Sequence, residues 1–359
     1  MHRFLEQYFG IIKKFLPTQS EESSVGIDIG VSSCKLVELV ASPLSLKVKN
    51  WGILPVQSGD VASTIKKLLA QTNASPSNVY TALSGQGTLI RFIKMPRMPL
   101  NQLRESLLLE ADKYFPFSKD QVYMDCHILD DKRGKDNKME VLVAVAKRDL
   151  VKQRLDLIES LGLKGGFIGI SAVALSNAFS KIQKILGSRQ GANLKDVNRT
   201  IAVLDIGEVK SSLIIFAEGL PRFTRDISLG GKDLTQKISN VMGINFSEAE
   251  KVKCGPKGKE EDIITACHST LLSLVSEIRL SFDYFTSENS QEVKALYLMG
   301  SSSKIPKIDD FFVKELDLAV EKWDSAKALE FVDNVSAAEF SDQANQLGVA
   351  LGLSLYSYD

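Results

Sequence analysis

The sequence predicts an α/β protein of two similar lobes. Three observations predict it. A strand–turn–strand unit built on Asp-Ile-Gly occurs twice, at Asp28 and Asp205, and internal repetition marks a repeated architecture. Between the copies, apolar periodicity reads strand–helix–strand–strand–helix. The 359 residues are 44% hydrophobic, enough for two cores at roughly 100–200 residues per domain.

Charge narrows the class. Forty-four basic residues balance 44 acidic ones, which excludes a disordered polyelectrolyte and a general nucleic-acid binder. The balance is uneven along the chain: residues 309–342 hold ten acidic residues against Lys314, Lys322 and Lys327. No run of about 18 apolar residues occurs, so no spanning helix is expected. Cys34, Cys126, Cys254 and Cys267 show no C-x-x-C spacing and read as free thiols rather than zinc ligands.

From the N-terminus, Phe4, Leu5, Tyr8, Phe9, Ile11, Ile12, Phe15 and Leu16 share one side of a helix, within an arc of roughly 160°. Lys13 and Lys14 interrupt the run, which fits a signal peptide poorly. Such a helix can lie on a membrane surface, dock in a partner groove or pack on its own domain. Residues 17–24 (PTQSEESS) read as a polar linker.

The first repeat is residues 25–39 (VGIDIGVSSCKLVEL). Gly30 supplies the turn, where backbone N–H groups free of bulky side chains form an anion site. Ser32, Ser33 and Lys35 add donors and charge, and Asp28 can hold a metal-bound water. A single such turn is also an ordinary Asx turn; the second copy, residues 203–216 (VLDIGEVKSSLIIF), favours the binding reading.

Between the two repeats, Leu89 to Lys94 reads as a strand. Asn101 is expected to cap a helix with Leu103, Leu107, Leu108, Ala111 and Tyr114 on its buried side. Strands over 122–129 and 139–146 flank the charged turn 130–138 (DDKRGKDNK). Asp149 is expected to cap a helix over 150–161 that stops at Gly162.

After the second repeat, Gly230 and Gly231 open a helix over 232–242 and permit close backbone approach. Residues 247–250 read as a capping box opening the helix that carries Lys251 and Lys253. Residues 263–287 read as one long amphipathic helix, on which His268 is a packed or surface residue. A strand over 293–299 ends at Gly300, Ser301 and Ser302.

This order of two D-I-G hairpins, a Gly-Gly turn, an A-E-x-x-K helix and a strand ending in Gly-Ser resembles the actin-like ATPase superfamily of actin, hexokinase, heat-shock chaperones and FtsA. Within it the chain is most similar to the PilM family of type IV pilus assembly. That narrowing rests on residues 109–117 (LEADKYFPF), on Arg225 with Gly230, Gly231 and Thr235, and on the closing 347–355 (LGVALGLSL). The resemblance covers Val25 to about Leu355.

It implies a two-lobed actin-like (ribonuclease H-like, duplicated) fold with an FtsA/PilM-type interaction subdomain. The domains it implies are a helix and linker over 1–24, a first lobe over 25–199 with the insert at about 86–165, a second lobe over 200–334, and a C-terminal helix over 335–359 returning to the first. It implies ATP with Mg between the lobes. Asp28, Gly30, Ser32, Ser33 and Lys35 match the first phosphate loop, and Asp205, Gly207 and Ser211 the second. Gly230 and Gly231 match the Gly-Gly turn. Glu250 and Lys253 match the helix bordering the adenosine, and Gly300, Ser301 and Ser302 the adenosine turn. Asp28 and Asp205 would meet Mg through water.

The implied role is a cytoplasmic adaptor, peripheral on the inner membrane and acting in pilus assembly and twitching motility. Its implied partners are the tail of a PilN-like inner-membrane protein, other platform proteins and the assembly ATPase. The 1–16 segment is expected to add membrane contact through Phe4, Leu5, Tyr8, Phe9, Ile12, Phe15 and Leu16. Two departures stand out: residues 167–175 (FIGISAVAL), linking the lobes, carry no carboxylate to orient water, and Glu208 lies in the second loop. Binding with slow or absent hydrolysis is therefore expected. Two alternatives remain. A small-molecule kinase of the superfamily would need a carboxylate base. An FtsA-like divisome protein would be expected to tether through a C-terminal amphipathic helix, and none follows residue 355 here.

Overall fold

The computed structural model describes residues 23–41, 45–57, 59–74, 76, 78–130, 137–189, 199–255 and 258–356. The amphipathic 1–16 segment and the tip of the charged turn, 131–136, lie outside the described residues. The strands in chain order are β1 (Ser23–Ile29), β2 (Ser33–Ala41), β3 (Leu46–Pro55), β4 (Val79–Leu83), β5 (Thr88–Pro96), β6 (Val122–Asp130), β7 (Lys138–Lys147), β8 (Gly165–Ile170), β9 (Ile201–Ile206), β10 (Ser211–Ala217), β11 (Leu220–Ile227), β12 (Ala295–Met299), β13 (Ala319–Lys322) and β14 (Glu330–Phe331). The helices are α1 (Val61–Thr72), α2 (Leu100–Leu109), α3 (Ala111–Tyr114), α4 (Arg148–Ser160), α5 (Ser171–Arg189), α6 (Gly231–Met242), α7 (Phe246–Cys254), α8 (Glu260–Asn289), α9 (Ile308–Leu316), α10 (Ala337–Gln343) and α11 (Gly348–Ser354).

The duplication is explicit in the sheets. The first runs β14-β3-β2-β1-β4-β8 and the second β11-β10-β9-β12-β13. Setting β14 aside, each is an antiparallel three-strand meander whose last-placed neighbours, β4 and β12, pair parallel to β1 and β9. The register repeats too: Asp28 lies opposite Lys35, and Asp205 opposite Ser212. A parallel neighbour requires a crossover, and ligands bind where parallel strands end. Both aspartates therefore stand at the carboxyl ends of central strands.

The insert is a separate three-stranded sheet, β5-β7-β6, between β4 and β8 in the chain. Its core gathers Leu103, Leu107, Phe115, Val141, Val143 and Val145. The helix α8 is long and apolar enough, by length and composition, to cross a membrane. Its Ile263, Cys267, Leu271, Leu274, Ile278 and Phe285 are buried in the second lobe's cluster, so its apolar side is a core face. His268 is exposed, with its ring edge-on to Phe311.

One cluster joins both lobes. It holds Val37, Leu39 and Ala82 of the first, Val203, Ile214, Phe216 and Met299 of the second, and much of α5 and α11. All seven residues of α11 are buried. Small residues allow this: a Cβ on Gly26 would stand 2.1 Å from the Ala350 carbonyl oxygen, and one on Gly352 only 1.8 Å from that of Ala174.

Five local expectations are corrected. Pro99, extended at φ −60° and ψ 153°, is the cap residue of α2, and Asn101 lies in its first turn without capping it. Lys147, not Asp149, is the cap residue of α4 and makes no side-chain cap bond. The capping box of α7 is Asn245 with Glu248, not the 247–250 pair; both registers fit the pattern, and only the chain path decides. Leu108 is half exposed and Leu109 83% exposed, while Leu103, Leu107 and Ala111 are buried, because α2 ends at Leu109 and the short α3 resets the face. Ser23 and Ser24, read as linker, begin β1.

Candidate functional site

The first hairpin closes on itself. The Gly30 N–H donates to the Ser33 carbonyl at 3.0 Å, and the Ser32 carbonyl accepts from Val56 N–H at 2.8 Å. A Cβ on Gly30 would stand 2.9 Å from the Ser33 oxygen, so only glycine fits. Val31, 76% exposed, projects from the tip, and Ser32 is exposed beside it. Among the described residues the Val31 and Ser32 N–H groups have no acceptor. Lys35 Nζ donates to Asp28 Oδ2 at 3.0 Å. Burial alone would lower the Lys35 pKa, but the Asp28 carboxylate, by charge and by hydrogen bond, and Asp205, by charge, more than reverse this and raise it.

The second hairpin repeats the closure, Gly207 N–H donating to the Lys210 carbonyl at 3.1 Å. Asp205 is pushed up to about 6 by burial, with Asp28 adding to the effect and Lys35 and Lys210 opposing it. Asp28, Lys35 and Asp205 thus form one electrostatic unit spanning both lobes. Ser211 does not face it: the side chain is fully buried and donates to the Leu229 carbonyl at 2.7 Å.

The Gly-Gly turn locks onto the second hairpin. Gly231 N–H donates to Gly207 O at 2.7 Å, Lys232 N–H to Glu208 O at 2.8 Å, and Gly230 N–H to Asp233 Oδ2 at 2.8 Å. The first donors of α6 are therefore used within the protein. What stays open is the hairpin itself, where the Glu208 and Val209 N–H groups have no acceptor among the described residues.

Lys253 is 1% exposed. Its ammonium donates to Gly231 O at 3.2 Å, Thr235 Oγ1 at 2.8 Å and Glu250 Oε2 at 2.8 Å. It braces α6 and fixes Glu250, whose side chain remains 41% exposed. Glu250 is the member of this pair presented outward.

The turn after β12 packs on the same centre. Gly300 has φ +85°, and a Cβ there would lie 2.4 Å from Ile206 O and 2.5 Å from Asp205 Oδ1. Asn345 holds it from the other lobe's side: Gly300 N–H donates to Asn345 O at 2.8 Å, and Asn345 Nδ2 to Gly300 O at 3.1 Å and Ser303 Oγ at 2.6 Å. Ser302 Oγ is buried and without a partner among the described residues. Ser301 starts the short 3-10 turn there.

Arg154 is a site residue that the sequence reading missed. It comes from α4, whose Leu157 packs on the first lobe's own cluster, and its Nη1 donates to Thr81 Oγ1 at 2.8 Å and Ala82 O at 2.7 Å. Burial lowers its pKa, opposed by the charges of Asp28 and Cys34. One polar position in an exposed helix carries no signal that it reaches the next sheet.

A cavity of about 400 Å³ opens beside Lys210 between the lobes, lined by Ser84, Arg91, Ser171, Ser212, Asp226 and Ser228 among others. Asp28 and Asp205 do not line it. Asp226 accepts from Ser212 Oγ at 2.8 Å and is ion-paired with Lys210. Among the described residues no three or more His, Cys, Asp or Glu side chains group as a metal cluster. The donor set instead suits a cation that keeps most of its waters: two carboxylates, free hairpin N–H groups and a buried unpaired hydroxyl. Such a site can hold phosphate and a hydrated divalent ion together.

Comparison with known proteins agrees with this fold. The family profile described as type IV pilus assembly protein PilM matches residues 26–358. A structure of a PilM–PilN type IV pilus biogenesis complex is similar at 25% identity, covering 94% of this chain and 99% of that one, with a TM-score of 0.81. The ethanolamine utilization protein EutJ from Carboxydothermus hydrogenoformans is similar at 14% identity, over 99% of this chain and 98% of that one, with a TM-score of 0.54.

Proposed function

Since the chain belongs to the PilM family of type IV pilus assembly proteins, an actin-like group, we propose that it is a nucleotide-binding adaptor at the cytoplasmic face of the inner membrane. It binds ATP with Mg, docks the cytoplasmic tail of a PilN-like membrane protein, and couples the two. The observation that carries this reading is the Asp28–Lys35–Asp205 unit, contributed by equivalent strand ends of both lobes.

Bound ATP would supply the negative charge of its phosphates and a magnesium ion carrying water. The Asp28 and Asp205 carboxylates would hold that water shell. The N–H groups of Val31 and Ser32, and of Glu208 and Val209, donate toward phosphate, with Lys35 adding charge. Glu250, fixed by Lys253, borders the nucleoside end, and the Gly300–Ser302 turn closes beside it.

Hydrolysis is slow or absent in this reading. Phosphoryl transfer needs a group that places the attacking water. Residues 167–175 carry no carboxylate, and the carboxylate of Asp226 is engaged by Lys210 and Ser212. The insert is the partner module, with Leu108 and Leu109 exposed on it. Attachment through Phe4, Leu5, Tyr8, Phe9, Ile12, Phe15 and Leu16 adds membrane contact to that of the partner.

The test is titration of ATP with Mg into the protein, followed by titration of a PilN-like tail peptide with and without ATP. Nucleotide binding and a change in peptide affinity are expected, because a ligand shifts a two-state equilibrium only by its differential affinity. No nucleotide binding refutes the site; equal peptide affinity in both conditions refutes the coupling.

A further inference from the structure

Resting on the reading of a phosphate site at Asp28 and Asp205, we propose that Arg154, carried by α4, is a contact for the terminal phosphate of a bound nucleoside triphosphate. The position carries the argument. Thr81 pairs with Ile27 in the parallel β1–β4 ladder, so the carbonyl of Ala82 and the hydroxyl of Thr81 lie beside the strand end that presents Asp28. Both accept from Arg154 Nη1, at 2.7 and 2.8 Å. The guanidinium is thereby fixed at the carboxyl ends of two adjacent parallel strands, where ligands of such sheets bind.

Donor accounting points the same way. The neighbouring cations are engaged: Lys35 by Asp28, Lys210 by Asp226 and Lys253 by Glu250. Arg154 uses Nη1 alone, and its Nε–H and Nη2 donors have no acceptor among the described residues. A guanidinium stays charged at any relevant pH and presents its donors as a planar fork suited to phosphate. Asp28 and Cys34 both act on it electrostatically, which keeps it within the field of the first hairpin.

The consequence concerns the insert, because α4 continues directly from its strand β7. A contact from Arg154 would make the seating of α4 on β4 depend on the nucleotide's phosphate count. Triphosphate and diphosphate would then differ at the subdomain that meets the partner.

The experiment compares affinities for fluorescent ATP and ADP analogues, with Mg, in the wild type and in Arg154→Gln, Arg154→Lys and Thr81→Val. Arg154→Gln should weaken ATP by about tenfold or more, the scale of a charge-assisted bond, and ADP by less than about threefold. Arg154→Lys should recover part of the loss, and Thr81→Val, which removes one of the two acceptors that fix the guanidinium, should weaken ATP more than ADP. Equal weakening of ATP and ADP, or none, overturns the proposal by making Arg154 a strap between α4 and β4. If Arg154→Gln does not fold, an unchanged ATP-to-ADP ratio in Arg154→Lys overturns it. A wild type that binds neither nucleotide removes the site reading and the proposal together; wild-type binding with an unaffected Arg154→Gln removes the proposal alone.

Discussion

Lys35 and Asp28 face each other across the first hairpin and form a 3.0 Å ion pair with side chains only 14% and 17% exposed. An ion pair this shielded is costly to break from one side, because the remaining charge has no water to return to. Asp28→Asn should therefore destabilise the protein by about 3 kcal/mol at pH 7, read from urea unfolding. A loss below about 1 kcal/mol would show that Asp205 takes over as the partner of Lys35.

Asp205 gives a pH signature. Its carboxyl is raised from 3.8 to about 6, so the folded state keeps a proton that the unfolded state has released. That stability is fully present below pH 3.8 and is lost as pH rises through 6. Asp205→Asn should be more stable than wild type at pH 7 by up to about 3 kcal/mol, with the difference vanishing below about pH 4. Magnesium reverses the local logic, since a bound cation favours the carboxylate. Binding of Mg with ATP at pH 6 should release a proton, detectable by calorimetry in buffers of different ionisation enthalpy.

Two glycine substitutions should move stability in opposite directions. Gly300→Ala places a Cβ at φ +85°, against Ile206 O and Asp205 Oδ1, and should cost about 1–3 kcal/mol. Gly187, inside α5, has open space around it, and Gly187→Ala should stabilise by about 0.5–1 kcal/mol. Thermal unfolding of both variants checks the contrast.

The amphipathic 1–16 segment predicts membrane contact independent of the partner. Deleting residues 1–22, which spares β1, should reduce co-sedimentation with anionic vesicles, modestly, since the 1–16 segment's three basic residues oppose one acidic residue. Unchanged sedimentation would return the segment to the partner-groove or self-packed alternative.

The order of elements was legible because it is written in local signals. Both D-I-G hairpins, the insert's strand–helix–strand–strand–helix order and the long α8 follow from periodicity and glycine placement. What escaped depends on long-range approach. Nothing near Lys253 in sequence says that it turns inward onto Gly231 and Thr235 rather than outward, or that Ser211 bonds Leu229. Arg154 was invisible for the same reason, since its acceptors on β4 are remote in the chain. The capping box of α7 was misplaced by two residues because S/T/N-x-x-E patterns overlap, and the chain's entry angle selects among them.

The burial of α11 against β1 has a consequence for how the chain assembles. The second sheet and its helices are encoded contiguously, from β9 to β13, around their own cluster. The first sheet stays uncovered along Gly26, Val37 and Leu39 until residues 348–354 arrive. Such sequence-distant closure is slow. The cluster that joins the lobes is thus the part of the core that waits for the C-terminal residues, on the side of either lobe.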